Sequence, residues 1–240
     1  MRKVPIKLFE PQDGWPVPPL EALKGRVIGC MNSFTTYELV FGTMRKMDLK
    51  RLEFLIDGFP VYFLLRIQNS QKRLQRNPGP DFTLSLIESL PKGCNVGIIG
   101  GLTSSSQIVV NKLTEEGFDV RSYSEPIIEE DISLHAERVA KSWENFEPEL
   151  LLICLGQPKQ EAFGIEIVKV YPNAAILCVG AFIDFYSQNQ ARAPLCLQKF
   201  GLEWAWRLFQ EPKRLWKRYL LYSPLGLFFF LSRVKLGDTK

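Results

Sequence analysis

The chain is poor in the residues that relay protons or bind transition metals. A single histidine, His135, occurs among 240 residues, and the five cysteines are scattered without any Cys-x-x-Cys pair. One histidine inside a predicted helix leaves no basis for a Ser–His–Asp triad or a histidine metal site. We therefore expect reduced cysteines and no bound metal.

Three common signatures of nucleotide and sugar-nucleotide sites are also missing. The sequence contains no Gly-x-Gly-x-x-Gly fingerprint, no Gly-x-x-x-x-Gly-Lys-[Ser/Thr] loop and no Asp-x-Asp motif. The first two absences remove support for a dinucleotide fold and for a P-loop. Without the third motif there is no carboxylate pair to hold a metal and a diphosphate. Positive side chains would have to stabilise a departing diphosphate instead.

No stretch of the sequence is apolar and long enough to cross a bilayer. The longest apolar run, Leu220–Leu231, is interrupted by Ser223, Pro224 and Gly226. A spanning helix needs about 20 apolar residues. The N-terminal residues also lack the apolar core of a signal peptide. We therefore expect a cytoplasmic protein that is peripheral on the inner face of the plasma membrane.

Apolar residues make up 46% of the chain, which is enough for a large buried core. Short apolar runs alternate with helical patterns, above all between Cys94 and Gly180. This alternation predicts an α/β fold with a Rossmann-like parallel sheet covered by helices on both faces. The predicted strands are Val4–Phe9 (at an edge), Arg26–Met31, Leu52–Ile56, Asn95–Ile99, Asp119–Tyr123, Leu150–Leu155 and Ala174–Val179. The predicted helices are Leu20–Leu23, Thr36–Met47, Phe82–Leu90, Gln107–Glu116, Asp131–Phe146 and Pro158–Val170.

Small or polar residues follow most of these strands. In a parallel α/β sheet, ligands bind outside the carboxyl ends of the strands. Glycines there let a phosphate approach the backbone, and helix N-termini offer free amides to anions. One glycine after a strand only marks a turn, but five such strand ends favour a ligand site. They are Asn32, Asp57-Gly58, Gly100-Gly101, Gly156-Gln157 and the stretch from Gly180 to Asp184.

Cationic and aromatic residues are concentrated at the C-terminal end. Residues 192–240 contain ten Lys and Arg against three acids, a net charge of +7, whereas the whole chain carries +4. Cations interleaved with Trp, Tyr, Phe and Leu suit an anionic membrane surface, where rings lie among the headgroups and cations contact phosphates. We predict two units: an α/β domain (residues 1–191) and a basic, amphipathic, helical appendage that binds the membrane (residues 192–240).

Two stretches resemble a known enzyme family. Leu155–Glu161 (LGQPKQE) and Gly180–Tyr219 (GAFIDF…RAP…GLEWAWRLFQEPKRLWKRY) are similar to the C-terminal half of the WecG/TagA/CpsF glycosyltransferases. Weaker similarity extends to three motifs of the N-terminal half: Asn32, Asp57-Gly58 and Arg76-x-x-Gly79-x-Asp81. The resemblance therefore covers the chain from about residue 26 to residue 219.

The resemblance implies a fold of the GT-E type and an inverting, metal-independent glycosyl transfer. Such enzymes move a sugar from a UDP-sugar to a polyprenyl-diphosphate-linked saccharide in bacterial cell-surface polysaccharide synthesis. The sugar would be N-acetylmannosamine, its uronic acid or a hexose such as glucose. The resemblance also implies that the C-terminal appendage places the enzyme on the membrane. No cofactor is implied beyond the UDP-sugar substrate.

Asp57 is the candidate catalytic base, because it ends a predicted strand and matches the aspartate to which the family assigns that role. A turn or capping role is the alternative. Asn32 would hydrogen-bond sugar hydroxyls or cap a helix, and Arg76 would bind phosphate or lie solvated on the surface. Asp81 is a rival carboxylate, which we expect to be the N-cap of the following helix.

Donor contacts are expected from the strand ends and from the tail. At the strand ends the candidates are Gly100, Gly101, Gln157, Lys159, Gln160 and Asp184. In the tail, Arg207, Arg214 and Arg218 fall at helical spacings. We hypothesise that the tail folds over the donor and brings these arginines to the leaving UDP. A solvated basic helix is the alternative.

Three departures from the family pattern lie around the expected sugar pocket. Cys30 stands where the family has Thr, Ile56 where it has Pro, and Leu-Thr-Ser-Ser-Ser follows the Gly-rich turn. They bear on the choice of sugar and not on the reaction class.

Two other functions remain open. One is a non-enzymatic nucleotide-binding or scaffold protein at the membrane surface. The other is nucleic-acid binding, which the acidic balance of the remaining chain and the apolar run at 225–231 disfavour, so we expect no nucleic-acid partner. A membrane-bound monomer and a homo-oligomer that hides the apolar tail both fit the sequence.

Overall fold

Short runs of the sequence, some of them apolar throughout, form the strands of one parallel β-sheet. The computed structural model describes residues 3–9, 17–69, 74–127, 131–180 and 182–236. The strand order in these ranges is β5-β4-β6-β7-β2-β3-β1-β8, with parallel pairing throughout. The strands are β1 (Val4–Leu8), β2 (Val27–Met31), β3 (Leu52–Ile56), β4 (Asn95–Gly100), β5 (Asp119–Tyr123), β6 (Leu150–Cys154), β7 (Ala175–Cys178) and β8 (Val234–Leu236).

Helices cover both faces of this sheet. The α-helices of the described residues are α1 (Ser33–Val40), α2 (Phe59–Gln68), α3 (Gly79–Ser89), α4 (Thr103–Glu115), α5 (Ile132–Ser142), α6 (Lys159–Val170), α7 (Phe182–Tyr186), α8 (Leu195–Lys199), α9 (Glu203–Gln210), α10 (Pro212–Trp216) and α11 (Ser223–Arg233). Short 3₁₀ helices occur at Leu20–Leu23, Thr43–Lys46 and Leu49–Arg51, and a π-helical segment at Lys217–Tyr222.

The side chains of β2 show why its sequence is apolar without alternation. Val27 and Met31 belong to the core on one face of the sheet, whereas Ile28 and Cys30 belong to the core on the other. Both sets are buried because successive side chains of a strand point to opposite faces. The predicted α/β sheet with helices on both faces is thus confirmed.

The first strand departs from the expected arrangement. The sequence predicts Val4–Phe9 as an edge strand, but β8 pairs with it on its outer side. Val4 lies opposite Val234 and Ile6 opposite Leu236, and the Val234 side chain is buried. The prediction was wrong because β8 comes from the far end of the chain and covers the backbone groups that an edge would leave unpaired.

Several predicted helices have different boundaries. The helix expected over Asp131–Phe146 ends at Ser142, and the one expected to begin at Gln107 begins at Thr103. For two others the structure shows the reason. The helix expected over Thr36–Met47 ends at Val40, and a separate 3₁₀ turn follows, because the Glu38 carboxylate packs against Gly42 and accepts a hydrogen bond from the Thr43 amide (2.9 Å). The helix expected to follow an Asp81 N-cap begins instead at Gly79, with Pro78 as its N-cap. Asp81 therefore lies in the first turn, where its carboxylate pairs with Arg192 (2.5 Å).

The C-terminal tail packs tightly against the sheet domain. Helix α11 lies on α1, and a side chain at Gly226 would overlap the backbone of Tyr37, so only glycine allows this approach. Phe230 is fully buried in the core, and Leu215 is also buried. The division of the chain at residue 192 stays a prediction, and residues 237–240 of the predicted appendage lie outside the described residues. Within the ranges given above, no helix is long and apolar enough to span a bilayer.

Candidate active site

A cavity of about 560 Å³ opens at the carboxyl ends of four adjacent strands, β6, β7, β2 and β3. The residues that follow these strands form its floor, and the C-terminal tail closes it from above. The cavity therefore lies where ligands bind in parallel α/β sheets. Its polar and charged lining includes Asn32, Asp57, Arg76, Gln157, Gln160, Asp184, Glu203, Arg207, Arg214 and Arg218.

Asp57 occupies the turn between β3 and α2. Its backbone amide and that of Gly58 both donate to the Met31 carbonyl (3.0 Å each), which ties the turn to the end of β2. The Asp57 Oδ1 atom accepts a hydrogen bond from the Gly79 amide (3.3 Å). Burial, with a smaller contribution from Glu203, raises the pKa of Asp57 to about 6. The carboxylate is therefore ionised at neutral pH and basic enough to take a proton.

Asn32 is the N-cap of α1, so the capping alternative is the one observed. Its Oδ1 atom accepts from the amides of Phe34 (3.0 Å) and Thr35 (3.2 Å). Its Nδ2 atom donates to Gln157 Oε1 (2.9 Å). Asn32 lines the cavity, and its contact with sugar hydroxyls stays a prediction.

Gln157 connects three parts of the cavity wall. Its Nε2 atom donates to the Cys30 carbonyl (2.7 Å), to Thr35 Oγ1 (3.0 Å) and to Glu161 Oε1 (3.1 Å). Its Oε1 atom accepts from Arg218 Nη2 (3.0 Å) as well as from Asn32. With donor and acceptor both used, the amide has one orientation, which joins β2, α6 and the tail.

Four arginines line the cavity, three of them from the tail. Arg218 is the most deeply placed: its guanidinium lies 4.4 Å from the centre of the Phe34 ring, and burial lowers its pKa. Arg207 lies over the Phe185 ring (5.3 Å), and Arg214 pairs with Glu211 (Nε to Oε2, 3.0 Å). Among the described residues, neither Arg207 nor Arg218 has a carboxylate within ion-pair distance. Their charges are available to an anionic ligand.

Asp184 and Gln160 line the cavity on the β7 side. Burial raises the pKa of Asp184, against the opposing effects of Arg214 and Arg207. Gln160 Nε2 donates to the Cys178 carbonyl (3.1 Å) and to Glu161 Oε1 (3.0 Å). The cavity thus places one base candidate near several cations and hydrogen-bonding groups, as group transfer with an anionic leaving group requires.

Comparison with known proteins agrees with this arrangement. The profile of the glycosyl transferase WecG/TagA/CpsF family matches residues 26–239. The chain belongs to this glycosyltransferase family. A relative from Bacillus subtilis (strain 168), N-acetylglucosaminyldiphosphoundecaprenol N-acetyl-beta-D-mannosaminyltransferase, is 29% identical over 202 residues, covering 80% of this chain and 76% of the relative. The resemblance inferred from the motifs is thereby confirmed, and the protein is an enzyme.

Three predicted donor-binding residues of this glycosyltransferase lie outside the lining of the cavity. Gly100 and Gly101 have positive φ angles (91° and 80°), and a side chain on either would overlap Leu155 or Ile183. They allow close packing behind the site, which requires glycine. The Lys159 ammonium group donates to the Ile127 carbonyl (3.1 Å), so it is directed away from the site. Their predicted contact with the donor has no support from this geometry.

Sequence reasoning missed Glu161, which lies directly behind the cavity wall of the glycosyltransferase. Its side chain is fully buried, and burial raises its pKa to about 7. Oε1 accepts from two glutamines, whereas Oε2 has no partner among the described residues. The sequence did contain an indication that Glu161 lies near the site. It ends the LGQPKQE motif four residues after Gln157, which is one helical turn.

Cys30 lines the cavity where the family has Thr. Its thiol packs against Gly79, which leaves no space for a side chain there. Burial, followed by the charges of Asp57 and Glu161, raises the pKa of Cys30 well above its usual value. The thiol is therefore protonated and is a wall of the glycosyltransferase pocket, not a nucleophile. No group of three or more metal-ligating side chains occurs in the part of the chain that the structure describes.

Proposed function

We propose that this glycosyltransferase moves a sugar from a UDP-sugar to a polyprenyl-diphosphate-linked saccharide, with inversion and without a metal. The observation that supports this is one shared cavity, which holds the Asp57 carboxylate and the guanidinium groups of Arg207, Arg214 and Arg218. A base and a cluster of cations are the two requirements of such a transfer. The name of the Bacillus relative states an N-acetylmannosaminyl transfer involving a diphosphoundecaprenol-linked N-acetylglucosamine.

In the proposed reaction Asp57 takes the proton of the attacking acceptor hydroxyl. The acceptor oxygen forms a bond to the anomeric carbon while the bond from that carbon to the diphosphate breaks. The electron pair leaves with UDP, whose additional negative charge is stabilised by Arg207, Arg214 and Arg218. Arg76 would assist at the diphosphate, and Gln157 would hold Arg218 in place. A single displacement of this kind inverts the anomeric centre.

N-acetylmannosamine is the first candidate for the sugar, followed by its uronic acid and by a hexose such as glucose. The name of the relative supports the first candidate and specifies a β linkage. A β-linked product from an α-linked nucleotide sugar requires inversion. The thiol of Cys30, in the position of the family threonine, is a weaker hydrogen-bond partner for a sugar hydroxyl.

A transfer assay tests this proposal. The purified full-length protein is incubated with each of the three UDP-sugars and an undecaprenyl-diphosphate-linked N-acetylglucosamine acceptor in detergent, with or without EDTA. We expect transfer from one donor, an unchanged rate in EDTA, and an inverted linkage by NMR. UDP binding in a thermal-shift assay, without transfer from any of the three, would contradict it. Retention of configuration would exclude the single displacement.

We also propose that the tail holds the enzyme on an anionic membrane surface. Phe200 and Phe209 project into solvent from the tail, and Lys213 and Lys217 of the same tail are exposed. Exposed rings together with cations suit the headgroup region. In liposome flotation, Lys213→Glu/Lys217→Glu should weaken binding to anionic vesicles by at least about tenfold. Lys141→Glu, on α5, is the matched control. If the wild type binds neutral and anionic vesicles equally, the proposed attraction between the tail lysines and anionic lipids would be contradicted.

A further inference from the structure

The cavity has two chemically different halves. The half at the strand ends carries the carboxylates, amides and arginines described above. The other half is apolar, and its lining residues are Phe59, Pro60, Leu220, Pro224 and Leu227. A pocket with one charged and one apolar half matches an amphiphile better than it matches a sugar nucleotide alone.

The apolar half is built by two helices that contact each other. Helix α2 begins two residues after Asp57, so Phe59 and Pro60 adjoin the candidate base. On the other side, Leu220, Pro224 and Leu227 are spaced by four and three residues, which places them on one face of the helical tail. Helix α11 contacts α2 as well as α1. An apolar wall therefore leads away from the base between these two helices.

The wall continues outward along α2. Phe59, Phe63 and Ile67 are spaced by four residues and lie on one face of the helix. Their exposures are 44%, 57% and 59%, whereas Val61 and Leu65 are buried against the sheet. The solvent face of a soluble helix is normally polar. Here an exposed apolar stripe starts inside the cavity and runs out of it.

We propose that this apolar wall and the α2 stripe bind the isoprenoid chain of the lipid-linked acceptor. The acceptor diphosphate would remain in the charged half of the cavity, and the first isoprene units would pass Phe59 and lie over Phe63 and Ile67. The inference rests on the proposed function, because it assumes a polyprenyl-linked acceptor. It assigns a lipid-binding role to α2 of the sheet domain, together with the apolar face of the tail that contacts it.

Binding of isoprenoid diphosphates of different chain length tests the proposal without requiring turnover. Isopentenyl diphosphate and geranylgeranyl diphosphate are titrated into the full-length protein by calorimetry, below their critical micelle concentrations. We expect the wild type to bind the longer chain at least about tenfold more tightly. Phe63→Gln/Ile67→Gln should remove most of that preference and leave binding of the short chain unchanged. Leu134→Gln, at an exposed apolar site on α5 (42%), should have no effect.

The outcomes separate this inference from the proposed function. Equal affinity of the wild type for short and long chains, or an unchanged preference in the double variant, would overturn the proposal that the α2 stripe binds the isoprenoid chain. Reduced binding of both chains in the double variant would also overturn it, because the stripe would then act on the charged half. A third outcome separates the two proposals. If the double variant loses the chain-length preference but the wild type transfers no sugar, the isoprenoid site would be supported and the transfer reaction contradicted.

Discussion

Arg218, in the C-terminal tail, donates a hydrogen bond of 3.0 Å to Gln157 Oε1, at the start of α6 and 61 positions earlier in the chain. Through this contact the tail completes the wall of the cavity. Gln157 is held in turn by the Cys30 carbonyl and by Glu161. The cation that we assign to the leaving diphosphate is therefore positioned by the sheet domain and supplied by the tail.

Removing Arg218 should reduce catalysis more than removing other tail cations. We expect Arg218→Ala to lower kcat/KM by about 10²-fold or more, because a positioned, charge-assisted contact to the leaving group is lost. Arg218→Lys should recover only part of the activity, since an ammonium group lacks the planar geometry of the guanidinium. Steady-state kinetics in detergent measures both. Lys213→Ala, an exposed site in the same tail, is the control, and an equal loss there would indicate a general charge effect.

Asp57→Asn should abolish most of the activity without unfolding the protein. Loss of a general base lowers turnover by about 10²- to 10⁴-fold. The amide retains an acceptor oxygen for the Gly79 amide, so the turn should persist. Asp81→Asn is the matched control, because the Asp81 carboxylate pairs with Arg192 instead of serving as the proposed base. Near-normal turnover of Asp57→Asn, or an equal loss in Asp81→Asn, would remove Asp57 from the role of base.

The pH dependence of kcat/KM should report the ionisation of Asp57. Burial raises the pKa of this carboxyl to about 6 in the free enzyme. A base must be deprotonated, so kcat/KM should rise with pH through about 6 and level off above it. Initial rates between pH 4.5 and pH 8.5, at low acceptor concentration, give the profile. A profile that is flat between pH 5 and pH 7 would contradict this assignment.

Glu161→Gln should stabilise the protein at alkaline but not at acidic pH. Burial raises the pKa of Glu161 from its ordinary 4.5 to about 7, so the folded state holds a proton that the unfolded chain releases. The stability of the wild type therefore falls as pH rises from about 4.5 to about 7. The variant lacks this loss, and its melting temperature should exceed that of the wild type above pH 7. The difference should disappear below pH 4.5. If the variant is instead less stable than the wild type at every pH, the hydrogen bonds of the Glu161 carboxylate outweigh the cost of burying its charge, and the prediction fails.

Phe230→Ala should destabilise the whole protein, which tests the integration of the tail. The side chain is fully buried in the main core, and truncation of such a residue costs about 3–5 kcal/mol. Phe228→Ala, two residues earlier and 80% exposed, should change the free energy of unfolding by less than about 0.5 kcal/mol. Urea denaturation measures both variants. A small effect of Phe230→Ala would mean that the tail packs independently of the sheet.

The positions of seven of the eight described strands followed from local composition, whereas β8 was not predicted. Runs such as Leu150–Cys154 are apolar at every position and short, which is typical of a strand covered on both faces. The candidate base was also within reach of sequence reasoning, because Asp57 directly follows the short and mostly apolar run Leu52–Ile56. Glu161 was named only as the end of the LGQPKQE motif. Its spacing from Gln157 indicated a shared helix face, but the burial of its side chain against the sheet became visible only in the tertiary structure.

The tail shows the limit of reading charge along the chain. Its net positive charge and aromatic residues suggested a separate surface element, but Val234 and Phe230 are buried and β8 lies in the sheet. Gly226 allows α11 to pack against the backbone of Tyr37, because it has no side chain. A glycine in a helical sequence does not show which distant segment will pack against it. Contacts between residues about 190 positions apart are decided by packing and not by local pattern.

By itself, the sequence determined the class of the fold and the family, and it pointed to the four strand ends that line the cavity, because each of these depends on residues close together in the chain. Only the tertiary structure decided which side chains share the cavity. In that structure the Lys159 side chain is directed away from the cavity, Gly100 lies behind the cavity wall, and Arg218 donates a hydrogen bond to Gln157. These outcomes depend on how distant segments fill space and satisfy one another's hydrogen bonds, and a linear pattern does not contain that information.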